Sequence, residues 1–285
     1  MATATRTIEN LQQEFEERGY VILPNVLEPE VIEGVKAAME HLVEAEAQKL
    51  LGAGKINDNY ADEPLATRLY RLYQNNLDEA PRRFKPELHL SGMFPLFFHP
   101  RLLDIVESFL GSEIRLYPNY TVRPKFPEWA GHQVLWHQDG GYTEFGDPDN
   151  ITVDKLRMVN MWTPLVPVNV ENGCMQFIPG THLLGAVPHE GRTHYLEIVQ
   201  TTLAPLLDKA VDIVLDPGDV VLFHNMLFHQ GLPNRSGEIR WSVDWRYQDA
   251  TQPTLRAQHG HIARSRSHPA TEVHSPEEWA SLSFT

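Results

Sequence analysis

The chain has 285 residues, 42% hydrophobic and 22% charged, an ordinary globular composition whose length suits one all-β unit with a substantial core. Its formal net charge of −14 repels phosphate backbones, and no run of 18 apolar residues exists, so neither nucleic acid nor a membrane is an expected partner. The N-terminus lacks the apolar stretch of a signal peptide, and the one cysteine, Cys174, excludes an internal disulfide, a zinc ribbon and an iron–sulfur cluster; a reducing, cytoplasmic compartment is expected.

Thr7 to Arg18 places Ile8, Leu11 and Phe15 on one helix face, and Gly19 is a natural stop. Tyr20 to Leu23 reads as a short strand closed by Pro24. A longer helix is predicted from about Pro29 to Leu51, because Val31, Ile32, Val35, Met39, Leu42 and Val43 keep a 3.6-residue period. A polar loop follows from Gly52 to Pro64, and a further helix fits His99 to Leu110 before Gly111.

From Glu113 the pattern changes to short β-rich runs: Ile114–Val122, Val134–Trp136, Leu156–Val168, Met175–Ile178, Val211–Leu215, Val220–His224 and Ile239–Tyr247. Asn172-Gly173 and Asp216-Pro-Gly-Asp219 are turn signals between them. Helices first and strands later predict a mainly β jelly roll with N-terminal helices packed on one sheet. The expectation is one domain over 1–285: a helical part to about 112, a β core over about 113–250 and a polar tail over 251–285. The tail carries a short helix near Pro276–Leu282 and could fold over the mouth of the site.

Chemistry concentrates in Trp136-His137-Gln138-Asp139-Gly140. At the end of a strand, residues two apart share a face, so His137 and Asp139 are expected to point into one site. Two histidines and one carboxylate, with open positions left over, is the ligand set of non-haem Fe(II) oxygenases. The second histidine is expected on a distant strand; His229 is the first candidate, and spacing leaves His224 as its rival. Arg240, eleven residues past His229, is a fixed cation suited to a dicarboxylate co-substrate. Ser242 shares its face and could donate to the same carboxylate, while Arg246 competes less well for that role.

These residues resemble the phytanoyl-CoA dioxygenase family of 2-oxoglutarate oxygenases. The likeness rests on WHQDG at 136–140, on Val159-Asn-Met-Trp-Thr-Pro-Leu with Glu171-Asn-Gly-Cys-Met-Gln-Phe-Ile-Pro-Gly-Thr-His182, and on Pro217-Gly-Asp219, His229 and Arg240. With the opening Gly19-Tyr-Val-Ile-Leu-Pro-Asn-Val-Leu, it covers roughly Phe15 to Asp249. The resemblance implies a double-stranded β-helix that holds Fe(II) between its sheets through His137, Asp139 and His229. Arg240 then grips the distal carboxylate of 2-oxoglutarate, and Trp162 lines the co-substrate pocket. O₂ is the other co-substrate, and the implied reaction is hydroxylation of an unactivated C–H bond with release of succinate and CO₂. Gly231 departs from relatives that carry serine there, so part of the co-substrate's hydrogen bonding must come from elsewhere. Asp139 argues against halogenation, which uses a site without this carboxylate. Two rivals stand beside this reading: a non-catalytic metal-binding jelly roll, and a Zn-dependent hydrolase using the same triad, which has no need of Arg240.

Other residues read structurally. Asn172-Gly173 and Pro179 to His182 are turn and corner chemistry, with His182 satisfying loop backbone, and Cys174 is a small core residue. His89, His99, His132, His189 and His194 carry no metal role. Tyr142 and Glu144 are candidates for the substrate pocket, against a plain loop. Arg123 and Lys125 could meet an anionic substrate but are expected to face water. No Lys/Arg cluster suited to the phosphates of coenzyme A is visible, so a small-molecule metabolite is the expected substrate.

Overall fold

A computed structural model describes residues 7–142, 155–192 and 196–284. Helix α1 (Ile8–Arg18) begins at Thr7, whose side chain accepts from the Asn10 amide, and ends at Gly19 in the left-handed region. Strand β1 (Tyr20–Leu23) follows, then α2 (Pro29–Gly52). Helices α3 (Leu65–Tyr73), α4 (Phe94–Phe97) and α5 (Pro100–Leu110) complete the N-terminal layer. Helix α3 lies in a stretch where no element was expected.

The strands are β2 (Glu113–Leu116), β3 (Thr121–Lys125), β4 (Val134–His137), β5 (Met158–Pro164) and β6 (Met175–Ile178). A small hairpin, β7 (His189–Gly191) and β8 (Leu196–Ile198), precedes β9 (Val211–Ile213), β10 (Val220–His224) and β11 (Phe228–Gly231). Last come the long β12 (Arg240–Asp249) and β13 (His261–Ser265). Two sheets form the jelly roll. The larger runs β1-β10-β5-β12-β2-β13, with β3 also paired to β12, and the smaller runs β4-β11-β6-β9.

Strand alternation on the large sheet sorts structure from chemistry. Val159, Met161, Leu222, Val243 and Trp245 share one core cluster with Val35, Met39, Leu102 and Val106 of the helices. The opposite face presents Asn160, Trp162, Phe223, Arg240, Asp244 and Arg246 toward the small sheet. The expected helix-on-sheet layering is therefore observed.

The tail is built into the fold: β13 extends the edge of the large sheet beside β2, and Arg264 pairs with Asp104 and Glu107 on α5. The short helix is present as α7 (Pro276–Ser281), and its Trp279 is fully buried against His89, Phe97 and Tyr120. Among the described residues, no helix is long and apolar enough to cross a membrane.

Candidate metal and co-substrate site

His137 and His229 are direct cross-strand partners of β4 and β11, and their rings lie 4.1 Å apart. Asp139 completes the group. Its Oδ1 is 3.7 Å from His137 Nε2 and 3.9 Å from His229 Nε2. Among the described residues, these three form the only cluster of metal-ligating side chains within 4.8 Å. The device that aims Asp139 differs from expectation. Strand β4 stops at His137, and Asp139 opens a 3₁₀ turn over Asp139–Tyr142, so a turn and not strand alternation brings the carboxylate round.

Gln138 fixes that turn. Its buried amide donates to the carbonyls of Gly185 and Met226, each at 2.8 Å, and its Oε1 accepts from Val187 N at 2.9 Å. The backbone N–H of Gln138 donates to His189 Nε2, so His189 braces the metal motif without belonging to it.

The chemistry of the donor set suits a divalent metal. His137 Nδ1 lies 2.7 Å from the Leu135 carbonyl, and His229 Nδ1 lies 2.9 Å from that of Leu227. A carbonyl only accepts, so both Nδ1 atoms carry the proton and both Nε2 lone pairs face Asp139. Burial, and then His137, pushes His229 down to about 3 despite Asp139, keeping it a neutral donor at physiological pH. Burial alone would raise Asp139. Arg246, with the histidines, instead holds its carboxyl well below the usual carboxylate range. The Arg246 Nη2 to Asp139 Oδ2 distance is 2.7 Å. Arg246, the weaker candidate for the co-substrate carboxylate, is thus already paired with Asp139.

The rival histidine is settled by the sheet. His224 is paired with Val159, and its ring faces Phe15 and His182 on the outer side. Phe223 takes the inward position and packs against His229.

Arg240, Trp162, Phe223, Met175 and Gly231 line the same cavity as the triad. The Arg240 guanidinium lies 5.5 Å from the centre of the Trp162 ring, and its Nη1 donates to Ser242 Oγ. Ser242 is fully buried beneath it and holds the guanidinium in place. Burial pushes Arg240 down to about 10, so it stays charged at neutral pH. Its Nε has no partner.

Lys125 does not turn to water, and Arg123 does so only in part, with a third of its side chain exposed. Both share the inward face of β3 and pair in register with Ser242 and Arg240. Arg123 donates to Asp244 at 2.6 Å, and Lys125 is buried, with its ammonium donating to the Leu232 carbonyl. Sequence spacing could not find this, because it depends on β3 pairing with β12 across more than a hundred residues. Asn160 and Asn225 were also missed. Both are buried with unpartnered amides, one two residues from Trp162 and the other beside Gly140. Glu144, His194 and the side chains of His132 and Tyr142 lie outside the described residues.

A model of the family described as Phytanoyl-CoA dioxygenase (PhyH) matches residues 15–242. The chain belongs to the phytanoyl-CoA dioxygenase family. Within reach of it is the 1-deoxypentalenic acid 11-beta-hydroxylase of Streptomyces arenae, 26% identical over 256 residues that span 85% of this chain and 82% of that one. The peroxisomal phytanoyl-CoA dioxygenase of Rattus norvegicus is 23% identical over 261 residues, spanning 86% of this chain and 70% of that one. The solved structure of the epimerase SnoN in complex with Fe3+, alpha ketoglutarate and nogalamycin RO superposes with a TM-score of 0.58 at 25% identity, covering 88% of each chain. The protein is thereby an oxygenase of the jelly-roll class whose named members use iron and 2-oxoglutarate, as the resemblance implied.

Proposed function

We propose that the protein is an Fe(II)- and 2-oxoglutarate-dependent dioxygenase that hydroxylates an unactivated C–H bond of a small metabolite. The observation that carries this reading is the buried His137–Asp139–His229 cluster sharing one cavity with Arg240. When bound, iron and 2-oxoglutarate supply the oxidant: O₂ converts the keto acid to succinate and CO₂ and leaves one oxygen atom for the substrate carbon.

Each residue has a part in this. His137 and His229 offer neutral Nε2 donors, their rings fixed by backbone carbonyls. Asp139 supplies the anionic donor, and Arg246 neutralises its second oxygen. Arg240, steadied by Ser242, takes the distal carboxylate of 2-oxoglutarate, and Trp162 forms a wall of that pocket. Phe223 and Met175 keep the cavity apolar and limit water around the reacting atoms. Asn160 on the inner sheet face and Asn225 in the turn after β10 carry buried, uncharged amides near the site, which suits a small oxygenated molecule better than coenzyme A phosphates. We take the whole chain to work as one domain, in a reducing, cytoplasmic compartment that keeps Cys174 a thiol.

The test needs no substrate. Slow uncoupled turnover under ¹⁸O₂ is expected to give succinate carrying one ¹⁸O atom, and Asp139→Ala is expected to abolish it. Labelled succinate formed equally well by Asp139→Ala, or none formed by the iron-loaded wild type, would overturn the proposal.

A further inference from the structure

Arg240 has a second buried cation beside it. Lys125 is its register partner on β3, and both side chains are at most 5% exposed. Among the described residues, no carboxylate contacts either of them: Arg240 holds Ser242, and Lys125 holds the Leu232 carbonyl. Burial, and then Arg240, push Lys125 well below its ordinary value, so two basic groups share this buried place and both are favoured as cations only when an anion is received there.

The backbone makes room for this lysine on two sides. A Cβ at Gly231 would lie 3.1 Å from Lys125 Nζ, and one at Gly173 would lie 3.1 Å from Lys125 Cδ and 2.6 Å from the Leu232 carbonyl. Gly173 also has a φ of +87°, which suits glycine on conformational grounds. Gly231 and Arg240 line the cavity of the triad, and the Lys125 ammonium stands directly behind Gly231, where a side chain at 231 would otherwise project.

We infer that Lys125 is a second cationic ligand for the distal carboxylate of 2-oxoglutarate, occupying the place left open by Gly231 and acting with Arg240. The inference rests on the proposed role of Arg240. A carboxylate has two oxygens, and this arrangement gives it a guanidinium on one side and an ammonium on the other. Docking the anion also relieves the repulsion between the two cations.

The experiment compares two keto acids on Fe(II)-loaded protein under anaerobic conditions, with affinity read by calorimetry. 2-Oxoglutarate has the distal carboxylate; 2-oxobutyrate keeps the keto acid end and lacks it. Lys125→Met is expected to weaken 2-oxoglutarate binding by about tenfold to hundredfold and to leave 2-oxobutyrate binding unchanged. Lys125→Gln, which keeps a donor without the charge, is run beside it and is expected to lose less. Unchanged 2-oxoglutarate affinity, or equal loss for both acids, would overturn the role of Lys125. Arg240→Met in the same series tests the underlying reading. If it loses 2-oxoglutarate selectivity while the Lys125 variants keep theirs, only the lysine's role falls. If Arg240→Met also keeps its selectivity, the distal carboxylate lies elsewhere and both readings fall.

Discussion

Arg246 shows how one side chain can set the quality of the metal site. It holds Asp139 Oδ2 at 2.7 Å, donates to the Asn119 carbonyl at 2.9 Å and lies 3.8 Å from Asp244. Asp139 is therefore oriented, with one oxygen committed and the other turned to the histidines. Arg246→Met is expected to weaken Co(II) or Fe(II) affinity by about tenfold to hundredfold, as removal of such outer partners does, with partial recovery in Arg246→Lys. A metal titration that matches wild type would show that Asp139 needs no such brace. At this scale the sequence was legible where chemistry restricts residue type: His137, Asp139 and Arg240 stood out as candidates before any fold was known, while His229 and His224 were told apart only by the sheet. It was not legible where position depends on distant pairing. Lys125 and Arg246 look like any strand cation until β12 lies between β3 and β5 and turns them inward.

Among the elements, the tail carries more than its polar sequence suggested. Trp279 of α7 is fully buried, stacks on His89 with ring centres 4.0 Å apart and donates to the Leu88 carbonyl. Trp279→Ala is expected to destabilise the protein by about 3–5 kcal/mol in chemical denaturation; a change under about 1 kcal/mol would mean that α7 is loosely attached. His89 links the same joint to pH. Burial, helped by His261 and opposed by its bond to the Trp279 carbonyl, pushes it from 6.5 down to about 4. Between those values the unfolded chain carries a proton on this ring that the folded chain does not, so stability falls as pH drops through that window. His89→Phe is expected to flatten the melting temperature over the same range, and an unaltered slope would assign the acid sensitivity elsewhere. Helices α1, α2 and α5 were legible from their apolar period. Strands β11 and β13 were not: Phe-His-Gln-Gly has one apolar residue, and His-Ile-Ala-Arg-Ser alternates in burial but buries His261, Ala263 and Ser265, which give no apolar alternation to read. The single run read over Ile114–Val122 divides in two because a turn through Pro118 separates β2 from β3.

For the whole molecule, the two sheets divide the work. The outer face of the large sheet packs on the helices, and its inner face, opposite β4 and β11, carries the cations and amides of the site. The jelly roll itself was readable from the order of helices and strands, because each short run had its own turn residues. The central claim is that His137, Asp139 and His229 hold iron while Arg240 fixes 2-oxoglutarate against it. The measurement that tests it most directly is the visible charge-transfer absorption of Fe(II)-loaded protein titrated anaerobically with 2-oxoglutarate. The account expects a weak band in wild type, its loss in Asp139→Ala, and a shift to much higher 2-oxoglutarate concentration in Arg240→Ala. Bound iron with no band at saturating 2-oxoglutarate, or a band indifferent to both substitutions, would contradict it.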